Sequence, residues 1–446
     1  MFISEKIVNK KKIYYKIIII LSFIISWASI GTNNSDLFIL TTNVNEDVTL
    51  KSIINFFRIT LNLSCFPMLC FLFFMNVSKY KENKISPYLP FLIPLFCFLS
   101  QIPGLVYTSN SLWNFLYILS AINILIILNL ILLNFENEEI YLIIFLIFIL
   151  LGAVFFNSFK NDFSDYLNHG ELFYGNIDYF FSNSGIRSSG VSRIGLILLI
   201  TYSIFSKRFI KSKILRIIPL VFFTSCIFLY ESRAIIGITF IFLILNYLIR
   251  EKFTLICLFK YLLIYFVLPT LFSISLISIK LMNVDNCKNI KCFQLFDKDI
   301  VTSFEYIKKR TRLSNKNVLE STGRVEDWKE IINKFDYKNN LFFGYGAQGD
   351  RYLINQTASN GLLYTFTSSG IIGVTFFLIL TLTSCMQLLK YFFFSRKEEL
   401  IGYFSFSIMI VFIIRSIVES SYSVFSIDLI LFYMGLILMQ RFKVLK

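Results

Sequence analysis

Six of the chain's arginines stand out by their place: Arg58, Arg187, Arg193, Arg233 and Arg415, within or at the edge of apolar stretches, and Arg324, in one long polar segment. A guanidinium keeps its charge, and its planar fork grips two oxygens of a phosphate at once. Holding one at mid-bilayer costs about 2.5–3.5 kcal/mol or more, so an arginine retained in an apolar stretch needs a partner or a ligand. Gathered at one membrane surface, such groups suit a phosphate or diphosphate carried on a lipid. Arg415 has a second option, because Glu419 follows one turn later at ion-pair spacing.

The polar stretch Lys280–Asn360 holds a second constellation. After Ser321-Thr322-Gly323-Arg324, the residues Val325, Trp328, Ile331, Ile332 and Phe335 recur at helical spacing. Glu326 and Asp327 fall in the first turn, where the helix dipole favours them. This predicts an amphipathic helix near 324–335 on the membrane surface, with Arg324 at the end that already attracts anions. Gly344-Tyr345-Gly346-Ala347-Gln348-Gly349 is formally a GxGxxG, but no βαβ unit surrounds it and no helix is expected after it. It reads as a glycine-rich turn whose backbone can approach a bound group. Asp297-Lys298-Asp299 reads as solvated rather than metal-binding, and the lone His169 excludes a multi-histidine metal site. No metal and no cofactor are expected.

Apolar elements must position these groups. The 446 residues are 56% hydrophobic and 16% charged, with a mean hydropathy of +0.68; soluble domains run near 45–50% and 25%. Soluble Rossmann, barrel and zinc-finger folds are excluded, as is a membrane β-barrel with its alternating strands. Apolar runs near 17–30, 52–76, 85–103, 112–134, 140–157, 192–206, 215–230, 235–249, 253–279, 362–389, 400–418 and 424–440 are long enough to suggest about twelve spans. The net charge of +15 is a topology signal rather than a nucleic-acid signal. Lys6 to Lys16, Lys79 to Lys84, Lys207 to Arg216, Lys390 to Lys397 and Arg441 to Lys446 alternate with acidic or neutral loops. That pattern puts both termini in the cytoplasm of an all-α polytopic membrane protein, read as one integral membrane domain over 1–446. It leaves 158–190 and 280–360 as outer loops, the second large enough to be functional. Most cysteines lie in apolar runs, while Cys287 and Cys292 share the outer loop and suit a disulfide.

Arg187-Ser188-Ser189-Gly190, Ser232-Arg233-Ala234, Thr322-Gly323-Arg324 with Trp328, and Phe343-Gly344-Tyr345-Gly346 follow one another in order. They lead to Ala358-Ser359-Asn360-Gly361-Leu362-Leu363-Tyr364 and Ser369-Gly370-Ile371-Ile372-Gly373. The series resembles the O-antigen polymerase/ligase family over roughly residues 185–390. The resemblance implies a GT-C-like, metal-independent, inverting glycosyltransferase of the cytoplasmic (inner) membrane. Its implied substrate is an undecaprenyl-diphosphate-linked oligosaccharide, with a chain-length regulator as a further partner. By position, Arg187 (with Arg193 as near competitor) and Arg233 would hold the lipid diphosphate, assisted by Arg58 and Arg415. Arg324 matches the loop arginine. Arg233, Arg324 and Glu231 are the catalytic candidates, and Trp328, Tyr345, Arg351 and Asn360 are candidates for glycan contact. Ligases carry a histidine where Ser359 stands, which favours polymerase. The general base stays open among Glu231, Glu326, Asp327, Glu419 and His169. The alternatives are a ligase and a lipid-linked oligosaccharide flippase.

Overall fold

The computed structural model describes residues 2–29, 60–83, 85–108, 111–169, 177–179, 182–184, 188–230, 232–250, 255–276, 324–354, 357–394, 399–420 and 426–441. Arg58, Arg187, Glu231, Cys287, Cys292 and Asp297 to Asp299 lie outside them. The helices used below are α1 (Phe2–Ser29), α2 (Phe66–Asn76), α3 (Ile93–Leu99), α4 (Ser111–Asn134), α5 (Asn137–His169), α6 (Ser188–Phe209), α7 (Lys213–Leu229), α8 (Arg233–Arg250), α9 (Leu255–Leu262), α10 (Arg324–Lys334), α11 (Gly349–Ile354), α12 (Gly361–Phe394), α13 (Leu400–Ser416) and α14 (Ile427–Met439). Among the described residues, strands occur only as two short segments, Ile177–Tyr179 and Ser182–Ser184, which pair with each other. Six described helices are long and apolar enough to cross a membrane: Tyr88–Tyr107, Asn114–Asn134, Asn137–Ser164, Ser189–Phe209, Ile256–Leu276 and Gly361–Phe393. The chain is a multi-pass helical membrane protein. It divides into two compact units, one of residues 1–146, 179–182 and 324–446, the other of 147–178 and 183–323.

The first unit is organised on α4. From Ile124 to Leu133 its side chains are buried on every face, as expected of a helix apolar all round. Its asparagines fix its neighbours. Asn123 Nδ2 donates to Asn62 Oδ1 at 2.8 Å, and Ser26 Oγ donates to the same oxygen at 2.6 Å. Asn129 accepts from the Tyr80 hydroxyl and donates to Pro90 O at 3.0 Å. Asn134 accepts from Lys79 Nζ at 2.5 Å. Apolar side chains gain nothing by leaving lipid for each other, so bonds of roughly 0.6–2 kcal/mol set the register. At the end of α4, Arg441 donates to the carbonyls of Leu132 and Phe135, and Lys16 pairs with Glu139 at 2.5 Å. Lys16, Lys79 and Arg441, distant in sequence, thus collect at one end of this unit.

At the other end α12 is broken, where the sequence suggested one uninterrupted span over 362–389. Gly370 has φ 60° and ψ −155° inside it. A Cβ on Gly361 would lie 3.2 Å from the Phe377 ring; in a straight helix those residues would be about 24 Å apart. Gly361 to Ser369 therefore folds back along the start of the second segment. The run Ser368-Ser369-Gly370 permits the break, and hydropathy does not register it. The freed backbone groups are satisfied by the glycine-rich loop: Ile371 N donates to Leu341 O at 2.9 Å, Tyr345 N to Thr367 O at 2.7 Å and Gly346 N to Ser368 O at 3.0 Å. Gly344 (φ 63°) makes room for this, because a Cβ there would sit 2.5 Å from Thr367 O. On the loop's other side a Cβ on Gly104 would sit 2.3 Å from Gly346 N. The glycines let the backbone approach the chain itself, and a short helix, α11, does begin at Gly349. A Cβ on Gly361 would also meet Ser416 O at 3.2 Å. The tip at Gly370 accordingly rises about 10 Å beyond the end of α13, one and a half Å per residue from Phe377.

Gly370→Ala or Gly344→Ala should lower stability by roughly 1–3 kcal/mol or more, since each puts a Cβ at positive φ against backbone. Gly152→Ala, with open space around it, should be neutral or stabilising by up to about 1 kcal/mol. Thermal unfolding of the detergent-solubilised protein checks this, and equal midpoints for all three variants would refute it.

Candidate functional site

Between the tip and the end of α13 lies a polar cluster in the first unit. Arg324 occupies the first turn of α10, and its Nη2 donates to Glu419 Oε1 at 2.9 Å. Glu419 sits just past α13, its N–H bonded to Arg415 O at 2.9 Å. Asn360 precedes α12: its Oδ1 accepts from Leu363 N at 2.9 Å and its Nδ2 donates to Ile417 O at 2.7 Å. Trp328, one turn after Arg324, donates from Nε1 to Ala358 O at 2.7 Å. Arg324, Trp328 and Asn360 are therefore brought together, joined by Glu419.

Behind them Ile331, Ile354, Ala358 and Tyr364 form a small apolar core, which keeps this part of the loop folded. Asp350 closes it, accepting from Ala358 N at 2.7 Å and Arg351 N at 2.9 Å. Burial pushes the Asp350 carboxyl up, against the pull of those N–H groups and of the Arg351 charge. Ser359 holds φ 48°, a left-handed conformation uncommon outside glycine and asparagine. Here the side chains of Arg324 and Glu419 remain 27% and 20% exposed. A cation able to grip phosphate thus stands beside a carboxylate able to take a proton, next to the N-termini of α10 and α12.

Arg415 departs from the expected pairing. It is buried and paired with Asp428 on α14, while Glu419 turns to Arg324. A buried guanidinium takes the carboxylate that is buried with it, and Asp428 opens α14 directly across from the end of α13. Asp428 was legible as a lone carboxylate inside the last apolar run. Tyr345 is also occupied, its hydroxyl accepting from Asp336 N at 2.9 Å and its ring packed on Phe335 and Tyr352. Arg351 is exposed on α11.

Arg193 and Arg233 belong to the second unit. A Cβ on Gly195 would touch the Phe155 ring at 3.1 Å and Ile227 at 3.5 Å, so α5, α6 and α7 meet there. Within about two turns of that contact lie Asp162 on α5, Ser192 and Arg193 on α6, and Tyr230 beyond α7. Tyr230 donates its hydroxyl to Asp162 Oδ2 at 2.7 Å, with both residues buried. Arg193 and the Ser232-Arg233 corner are thus at one end of this unit, with a carboxylate that the sequence reading missed. It was missed because the apolar run near 140–157 stops, whereas α5 continues through His169 into the expected outer loop 158–190. Phe155, Phe159 and Phe163 stack in succession, and that four-residue spacing was the available signal.

Compared with known proteins, the chain matches no family model and no curated protein.

Removing one partner of the buried pair, by Arg415→Met or Asp428→Leu, should cost about 3–5 kcal/mol, and the double variant should recover most of it. A double-mutant cycle on thermal unfolding checks this; additive losses would show that the two charges are not coupled.

Proposed function

We propose that the protein is a GT-C-like glycosyltransferase of about twelve spans that polymerises undecaprenyl-diphosphate-linked oligosaccharides at the outer face of the cytoplasmic membrane. The observation that supports this reading best is the cluster of Arg324, Glu419, Asn360 and Trp328 at the end of membrane helices. It offers an anion-gripping group, a proton acceptor and an aromatic surface in one place. The resemblance to the O-antigen polymerase/ligase family supplies the substrate class. Arg233, Arg193 and Arg187 hold the diphosphate of the growing chain in this reading, and their charge offsets what builds on the leaving oxygen as the glycosidic bond breaks. A hydroxyl at the non-reducing end of a second lipid-linked unit attacks the anomeric carbon, giving inversion. In the first unit, Glu419 beside Arg324 is a candidate for the group that receives a hydroxyl proton. Arg415 has no ligand in this scheme, because Asp428 takes its charge.

A flippase is the second reading, and two observations favour it: the break in α12 at Gly370 and the buried Arg415–Asp428 pair, both features of transporters. The loop backbone fills the break, however, which leaves its polar groups no substrate to bind.

Arg233→Ala should leave a folded, inserted protein and remove long glycan chains. Arg233→Lys should restore little, since a point charge cannot grip two oxygens. Glu419→Gln should lower the transfer rate by about 10²–10⁴-fold. A glycan gel of the deletion strain separates the classes: single repeat units on the surface acceptor indicate a polymerase, and none indicates a flippase or ligase. Normal chain-length ladders in both Arg233 variants would end the catalytic reading.

A further inference from the structure

The second segment of α12 carries one continuous exposed apolar stripe, Ile371, Leu378, Leu382, Met386, Leu389 and Phe393, all on one helical face. From Ile371 to Phe393 it is about 33 Å long, close to the hydrocarbon thickness of a bilayer. A stripe of that length reaches from one boundary of the hydrocarbon to the other, with Ile371 at one of them. The loop is tied to this boundary, through Leu341 O to Ile371 N at 2.9 Å and Phe342 O to Ile372 N at 3.4 Å. The neighbouring span Tyr88–Tyr107 reaches the same level. Phe96 stacks on Phe376 at 5.3 Å, and Gly104 meets Gly346. Around this junction four large apolar side chains are exposed: Phe342 (61%), Phe343, Val106 (85%) and Tyr107.

We infer that Leu341 to Gly346, with Val106 and Tyr107, is a lip seated in one leaflet of the bilayer, at the boundary of headgroups and acyl chains. Three features carry it. The lip continues the lipid-facing stripe of the span it is bonded to. Its backbone N–H groups at Gly344, Tyr345 and Gly346 are all bonded within the protein, as non-helical backbone at membrane depth must be. Its exposed side chains are aromatic and aliphatic, the composition of an interfacial belt. Only four positions before Phe342, Lys338 and Asn339 are exposed and polar, so the surface changes character within one turn of chain. The lip rests on the membrane-spanning helices and not on the glycosyltransferase reading, so either can fail alone.

The test places a photoreactive benzoylphenylalanine at Phe342, at Lys338 or at Leu382 of the full-length protein. Each variant is reconstituted in phosphatidylethanolamine/phosphatidylglycerol vesicles, irradiated, and analysed for peptide–phospholipid adducts by mass spectrometry. Position 342 should give adducts comparable with Leu382 in the lipid-facing stripe, and about tenfold more than Lys338. Adducts at 382 with none above the Lys338 level at 342 would overturn the lip.

Discussion

Backbone hydrogen bonding is the constraint on which the loop-bearing end of the first unit depends. A peptide group without a partner costs several kcal/mol in hydrocarbon, so a helix can break at membrane depth only where other chain supplies donors and acceptors. Gly370 breaks α12, and Leu341, Phe342, Tyr345 and Gly346 complete the bonds. Everything else at this end follows from that closure. The glycines are there because backbone must touch backbone. Asn360 and Arg324 reach the end of α13 because the first part of α12 folds back toward it, and the loop has a core because α10 and α11 pack on that folded-back segment.

The charges obey a related rule. An ion buried in a low-dielectric surrounding takes the nearest buried counter-ion, even where another lies closer in sequence. Arg415 and Glu419 are four residues apart, yet Arg415 turns inward to Asp428 and Glu419, just past α13, turns to Arg324. The exchange separates a structural pair, sealed between α13 and α14, from a pair that solvent reaches. Spacing alone cannot make that distinction, because it depends on which side of the helix faces protein.

Much of the architecture was legible in the residues. Long apolar runs are hard to mistake, and the helical spacing of Val325, Trp328 and Ile331 located α10. What escaped depended on close contacts between segments distant in sequence. The hairpin in α12 is hidden because Ser368-Ser369-Gly370 interrupts hydropathy no more than many intact spans do. Asp162 is hidden because polarity, rather than burial, set the expected end of α5, although the Phe155, Phe159 and Phe163 ladder ran past that end. Of the six arginines, Arg324 was found with its anion-favouring helix end, but its partner could come only from the fold. Arg193 and Arg233 share an end of the second unit, a grouping their separation in sequence suggests only if adjacent helices are taken to be antiparallel hairpins.

The Arg324–Glu419 pair has a consequence for any anionic substrate that docks there. A guanidinium already held by a carboxylate is oriented and partly desolvated before the ligand arrives, so little of the binding energy goes into arranging it. Glu419 is itself fixed through its own N–H to Arg415 O, so both members of the pair are held in place by the fold. The buried Arg415–Asp428 pair ties the same end of α13 to α14.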